Sequence, residues 1–254
     1  MIRVEILYSD AARLYGDLQN IYYLERSCPN IEVVEDKLWE EPHFVRQTPN
    51  LLYMGSTTEQ GQRLMIENLR PYRQRLGQMI ADGVHFLVTG NALEVFGQSI
   101  TDADGPCIEA LGLLPTAAKR DMRKRYNALY LGRFEAGEEP MHIVGIKSQF
   151  GHSYWQTDEM QPWFITERGD GLNPETEPEG IRVKNFLASY LIGPLLILNP
   201  PLTKWLLGEL GVLDPSPAFE SAAMAAYEAR VREYSDPKRS MYYDPGWLAP
   251  EQGK

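Results

Sequence analysis

Apolar residues first cluster over residues 2–7, where they alternate with polar ones and predict a strand. Over 15–28, Ile21 and Leu24 fall at helical spacing before Pro29 stops the segment. Strands follow at 31–34 and 51–54. Gly55-Ser56-Thr57-Thr58 then supplies a turn and an N-cap for a long helix through Leu64 and Leu69, which Pro71 bends or splits. The run 85–89 reads as a buried strand ending in Gly90-Asn91, and 92–96 is helical up to Gly97. Strands alternating with helices predict a parallel sheet covered on both faces.

The second half is richer in strand patterns, at 129–134, 141–146 and 186–191, with Gly169-Asp170-Gly171-Leu172-Asn173-Pro174 as a loop. Pro201 opens a helix over 202–210 that Gly211 ends. No repeat or linker divides residues 1–212, which read as one domain. Residues 213–254 differ: Asp214-Pro215-Ser216-Pro217 punctuates, 218–234 is an Ala/Glu/Arg helix, and Tyr242, Tyr243 and Trp247 stand in an aperiodic tail expected to dock on the chain's own surface.

Composition narrows the function. Of 254 residues, 43% are hydrophobic, enough for a substantial core, and 25 basic against 35 acidic residues leave a net charge of −10. That charge disfavours nucleic acid and anionic lipid. Two cysteines, Cys28 and Cys107, suit a reducing cytoplasm and make no disulfide framework or zinc ribbon. The charged residues Arg3 and Glu5 make the first segment a strand rather than a signal sequence. The apolar stretch 186–198, broken by Gly193 and Pro194, is too short to span a bilayer, so no membrane insertion is expected.

Candidate chemistry is sparse. His43, His85, His142 and His152 are scattered without ligand spacing, so neither a metal nor a cofactor is expected. His152 sits in a glycine-containing segment read as a loop, and Cys107 in another, as a half-buried structural thiol. Thr89 has no adjacent base and reads as a packed strand residue. Arg120, Arg123, Lys124 and Arg125 form a basic cluster, read as a solvated helix face or loop.

Four segments together resemble the class I glutamine amidotransferases, in the branch of cobyric acid synthase and the glutaminase subunit of lipid II isoglutaminyl synthase. Leu14-Tyr15-Gly16-Asp17-Leu18-Gln19-Asn20 looks like that branch's L-Y-G-D-x-G-N. The stretch from Tyr53 and Met54 through Gly55, Ser56, Thr57 and Thr58 to Glu59-Gln60 resembles its glycine-rich G-G-G-Q-D-x-E-Q loop. Around Gly90 the family reads C-G-G-Y-Q-L-L-G, which places Gly90 at the cysteine and Glu94 at the glutamine. Gly180-Ile181-Arg182-Val183-Lys184-Asn185 and Ser189-Tyr190-Leu191-Ile192-Gly193-Pro194 resemble G-x-R-x-K-N and T-Y-L-H-G-P, with Ile192 at the histidine.

The resemblance implies an α/β, flavodoxin-like amidotransferase fold, a mainly parallel sheet flanked by helices, with an appended C-terminal helix and tail. It also implies a lost catalytic pair, since Gly90 has no nucleophile and Ile192 cannot carry a proton. Tyr53 and Met54 are expected to crowd the oxyanion loop. Gly90 is expected to keep the positive-φ elbow. Gly55, Ser56, Asn91, Glu94 and His152 would line a remnant pocket. Tyr15, Gly16, Asp17 and Asn20 would keep a family surface, or Asp17 and Asn20 would cap the first helix and tie the loop. The implied function is a catalytically degenerate subunit, a non-hydrolytic partner of a synthetase or ligase, or a homo-oligomer. Two readings stay open beside it: different chemistry through Glu94, Asp17 or His152, and an amidotransferase whose nucleophile is Cys107.

Overall fold

The computed structural model describes residues 1–137, 140–157 and 161–242. Strands β1 (Ile2–Ile6), β2 (Ile31–Glu35), β3 (Leu51–Met54) and β4 (His85–Thr89) alternate with helices α1 (Gln19–Ser27), α2 (Glu59–Leu69) and α3 (Arg73–Ala81); the short α4 (Leu93–Phe96) follows β4. Next come β5 (Ser99–Asp102), β6 (Cys107–Glu109), β7 (Thr116–Arg120), β8 (Tyr126–Phe134), β9 (Met141–Gln149), β10 (Gly151–Trp155), β11 (Phe164–Arg168) and β12 (Pro178–Glu179). The chain then returns through β13 (Ile181–Val183) and β14 (Phe186–Ser189) to α5 (Leu195–Leu198), α6 (Pro200–Glu209) and α7 (Glu220–Ser235).

The central sheet has the order β13-β14-β4-β3-β1-β2, parallel except for β13 at its edge. Its central strands β3, β4 and β14 are largely apolar because both of their faces are buried. Leu52, Met54, Phe86 and Val88 pack with α2, α3 and α4, whereas Val4, Ile6, Leu51, Tyr53 and Leu87 face α1, α5 and α6. Thr58 caps α2, its hydroxyl accepting from Gly61 N at 3.0 Å, and Pro71 lies in the 3-10 turn that divides α2 from α3.

Two further sheets complete the α/β fold. The sheet β12-β11-β8-β9 is antiparallel, and Tyr130, Phe134, Ile143 and Phe164 from it join the core with α1 and α6. On the other face, Ile100 of β5 and Ala118 of β7, from the sheet β10-β7-β5-β6, pack into the core with α2 and α3. Helix α7 lies on the outer side of β8 and β9, where Tyr227, Tyr234 and Met241 meet Leu129, Leu131 and Val144. Tyr242 pairs with Ala128 as an isolated bridge; Tyr243 and Trp247 lie outside the described residues.

Several sequence readings change. The segment 15–28 is not one helix: Tyr15 (φ +59°) and Gly16 (φ +75°) turn the chain, and α1 starts at Gln19. Cys107 is on edge strand β6 and exposed, rather than in a loop and half-buried, and His152 is on β10. Arg120 is a buried member of β7, not part of a solvated face, because its guanidinium is paired with Asp102 (Nε to Oδ1, 2.5 Å). No helix among the described residues is long and apolar enough to cross a membrane.

One buried polar pair sets a pH dependence. Glu5, in β1, accepts from Phe44 N at 2.8 Å and lies within hydrogen-bond reach of Asp36, which is held in turn by His43 Nδ1 at 2.5 Å. Burial first, and the Asp36 carboxylate second, push the Glu5 carboxyl from 4.5 up to about 9, so it keeps its proton at neutral pH. The folded chain therefore binds a proton that the unfolded chain releases near 4.5. This contribution is fully present below that pH and is lost as pH rises towards about 9. Glu5→Gln mimics the protonated form, and urea denaturation across this interval is expected to show a flatter decline than in the unsubstituted chain.

Candidate functional site

The loops after β1, β3, β4 and β14 converge at the C-terminal edge of the parallel sheet, where such folds bind ligands. Asp17 joins three of them. Its buried Oδ2 accepts from Ser56 N (2.9 Å), Ser56 Oγ (2.6 Å) and Thr89 Oγ1 (2.9 Å). Its backbone carbonyl accepts from Tyr53 OH at 2.8 Å and Asn20 Nδ2 at 2.9 Å, and Asn20 Oδ1 accepts from Leu196 N at 2.8 Å. Burial raises the Asp17 carboxyl above its usual range, opposed by the Ser56 and Thr89 donors. Of the two roles expected of them, Asp17 and Asn20 tie loops together, whereas α1 has no side-chain cap.

Gly90 follows β4 with a φ of +61°, a conformation glycine adopts without strain. A Cβ built on it would overlap the Ser56 hydroxyl, lie 2.9 Å from Ser56 Cβ and lie 3.2 Å from Ile192 Cγ2. Gly90, Ser56 and Ile192, distant in sequence, therefore meet at one point. Ile192 is held by its N–H to Ile146 O at 2.9 Å. The preceding turn is anchored by buried Glu179, which accepts from Ser189 Oγ and Tyr190 N, both at 2.9 Å, and pairs with buried Lys147.

The residues expected to line a remnant pocket lie in four places. Ser56 and Asn91, with Tyr15, line a pocket of about 70 Å³. That is far below the roughly 300–1,000 Å³ of small-molecule sites. Asn91 is spent on a reciprocal pair with Thr57, accepting at 3.0 Å and donating at 2.8 Å. Gly55 is packed into the loop, where a Cβ would lie 2.7 Å from Ala12 O. Glu94 is in the core, accepting from Gln62 Nε2 (2.9 Å) and Tyr190 OH (2.8 Å), and burial raises its carboxyl above the usual range. His152 belongs to a different cavity, and burial, then Lys147, brings its imidazole down to about 4. Tyr53 and Met54 leave opposite faces of β3: Met54 packs in the core, whereas Tyr53 extends its hydroxyl to the strand-end loops, 2.8 Å from Asp17 O and 3.1 Å from where a Gly55 Cβ would lie.

The sequence held no signal for Gln62 and marked Arg120 only as one of a basic cluster; both extend this polar network. Gln62 Oε1 accepts from Arg120 Nη1 at 2.9 Å, linking Glu94 to the Arg120–Asp102 pair. Arg125 and Phe150 close the small pocket, with the guanidinium 4.6 Å from the ring centroid. Among the described residues, no group of three or more His, Cys, Asp or Glu is placed to hold a metal ion.

Comparison with known proteins agrees with this architecture. No family model matches the chain. The glutamine-hydrolyzing lipid II isoglutaminyl synthase subunit GatD of Staphylococcus aureus (strain N315) is 27% identical over 201 residues, covering 78% of this chain and 80% of that protein. The subunit of the same name from Streptococcus pneumoniae (strain ATCC BAA-255 / R6) is 24% identical, covering 93% and 92%. Among solved structures, PurLQS from Thermotoga maritima superposes with a TM-score of 0.54 at 10% identity, covering 91% of this chain and 99% of that one. A structure described as a glutamine amidotransferase gives 0.53 at 15% identity, covering 82% and 99%. The fold is glutamine amidotransferase-like.

In this amidotransferase-like chain, Asp17 is the acceptor on which the strand-end loops converge. Asp17→Ala leaves three buried donor groups without an acceptor and is expected to cost roughly 2–4 kcal/mol in urea denaturation. Thr89→Val, which removes one donor, is expected to cost about 1 kcal/mol.

Proposed function

We propose that the chain is a non-hydrolytic glutamine amidotransferase-like subunit, acting as a binding, structural or regulatory partner of a synthetase or ligase. The observation that carries this reading is the meeting of Gly90, Ser56 and Ile192. By resemblance, Gly90 holds the nucleophile's position and Ile192 the base's. Thiolate attack on an amide needs a sulfur to form the C–S bond and a base to move protons. A glycine and an isoleucine supply neither. The Ser56 hydroxyl fills the volume a side chain at position 90 would need, and it donates to Asp17 without an imidazole to activate it.

The relatives' names support the subunit role, since both describe a subunit of a synthase. The alternative nucleophile, Cys107, is on the edge strand of a different sheet, 3.5 Å from Thr101 Oγ1. Glu94 and Asp17 are engaged by internal donors, which disfavours either as the centre of a different reaction.

The purified chain is expected to release no ammonia from glutamine above the uncatalysed background; turnover at an ordinary enzymatic rate, or labelling of Cys107 by a glutamine-analogue electrophile, would refute the proposal. Gly90→Cys with Ile192→His is expected to stay inactive, because Ser56 occupies the thiol's space. Adding Ser56→Gly to that pair is expected to admit the thiol, read as labelling by the same electrophile. Co-purification from the native cell is expected to recover a synthetase or ligase.

A further inference from the structure

A cavity of about 760 Å³ opens beside the small strand-end pocket, sharing with it Phe150 and no other lining residue. Its volume lies within the range of sites that bury a small molecule. The walls come from β5, β7, β10, the start of β8 and the loop after β11, together with Tyr242.

Two properties define what it would hold. The first is aromatic: Tyr126, Phe150 and Tyr154 line it, and His152 stands edge-on to Tyr126 with centroids 5.5 Å apart. The depressed imidazole is neutral at physiological pH, and its nitrogens are turned to Gln149 Nε2 (3.5 Å from Nδ1) and the Leu172 backbone, so His152 adds a flat, uncharged wall. Flat rings arranged in this way suit a planar heterocycle.

The second property is charge. Of the lining acids, Asp102 is paired with Arg120 and Arg63 and Asp121 with Arg123, while Asp170, with no ion pair among the described residues, accepts from the Tyr242 hydroxyl at 3.1 Å. Lys119 and Lys124 line the cavity, and among the described residues neither forms an ion pair within 4 Å; Lys119 Nζ rests 4.7 Å from the Tyr154 ring centroid, and Lys124 acts on the nearby Asp121 carboxylate only at longer range. Two exposed ammonium groups without a close carboxylate, beside a ring-lined recess, offer an anion two charge-assisted donors.

We propose that this cavity binds a nucleotide, its base among Tyr126, Phe150 and Tyr154 and its phosphate on Lys119 and Lys124. The site is independent of whether the strand-end pocket hydrolyses glutamine.

Isothermal titration calorimetry of the full chain with adenosine, guanosine, cytidine and uridine monophosphates, ATP, adenosine alone and inorganic phosphate tests it. At least one nucleotide is expected to bind, with adenosine or phosphate alone about ten-fold weaker or more. Lys119→Ala with Lys124→Ala alters exposed side chains and should preserve the fold; it is expected to reduce nucleotide affinity about ten-fold and leave adenosine unchanged. Tyr154→Ala is expected to weaken the nucleotide and adenosine together, by about ten-fold, as loss of one stacking partner does. No nucleotide binding at millimolar concentration would overturn the proposal. So would nucleotide affinity indifferent to the lysine pair, or phosphate binding as tightly as the nucleotides.

Discussion

A carboxylate buried at the edge of a parallel sheet organises this protein. Asp17 sits where the loops after β1, β3 and β4 meet, and its Oδ2 collects a backbone N–H and two hydroxyls. Burying such a group is costly unless donors surround it. Those donors come from Ser56 and Thr89, so the carboxylate fixes three loops at once. Through its carbonyl it also holds Tyr53 and Asn20, and Asn20 reaches on to the start of α5. The strand-end architecture is consequently a set of internal bonds with little open volume.

Behind this edge lies a second polar layer, from Tyr190 through Glu94 and Gln62 to Arg120 and Asp102. It runs from the turn after β14 to the sheet that borders the larger cavity. Each member is satisfied by the next, which is why a buried carboxylate and a buried guanidinium can share one core.

What the sequence made legible follows from burial. Strands β3 and β4 are covered on both faces, and their apolar runs stand out against flanking glycines and helix signals, while β1 shows by its alternation. Strands β5, β6 and β7 are not, and Thr116-Ala117-Ala118-Lys119-Arg120 has no hydrophobic signature because its polar residues face a cavity or a carboxylate across the sheet. Arg120 looked like its basic neighbours because pairing with Asp102 is a tertiary fact. Glu94 and His152 seemed to belong to one pocket because sequence order carries no sign of which face of an element a side chain leaves from. Resemblance, rather than periodicity, brought Gly90 and Ile192 together on the page, and the fold places them side by side.

Ser56 and Gly90 divide between them the room of a single side chain. That shared room couples the two positions: with serine at 56, bonded to Asp17, position 90 takes only the smallest residue. A larger side chain at 90 would collide with Ser56, while clearing that volume by glycine at 56 would remove one donor from Asp17. Neither position can therefore be exchanged without reference to the other, and the edge of the sheet behaves as one interlocked unit.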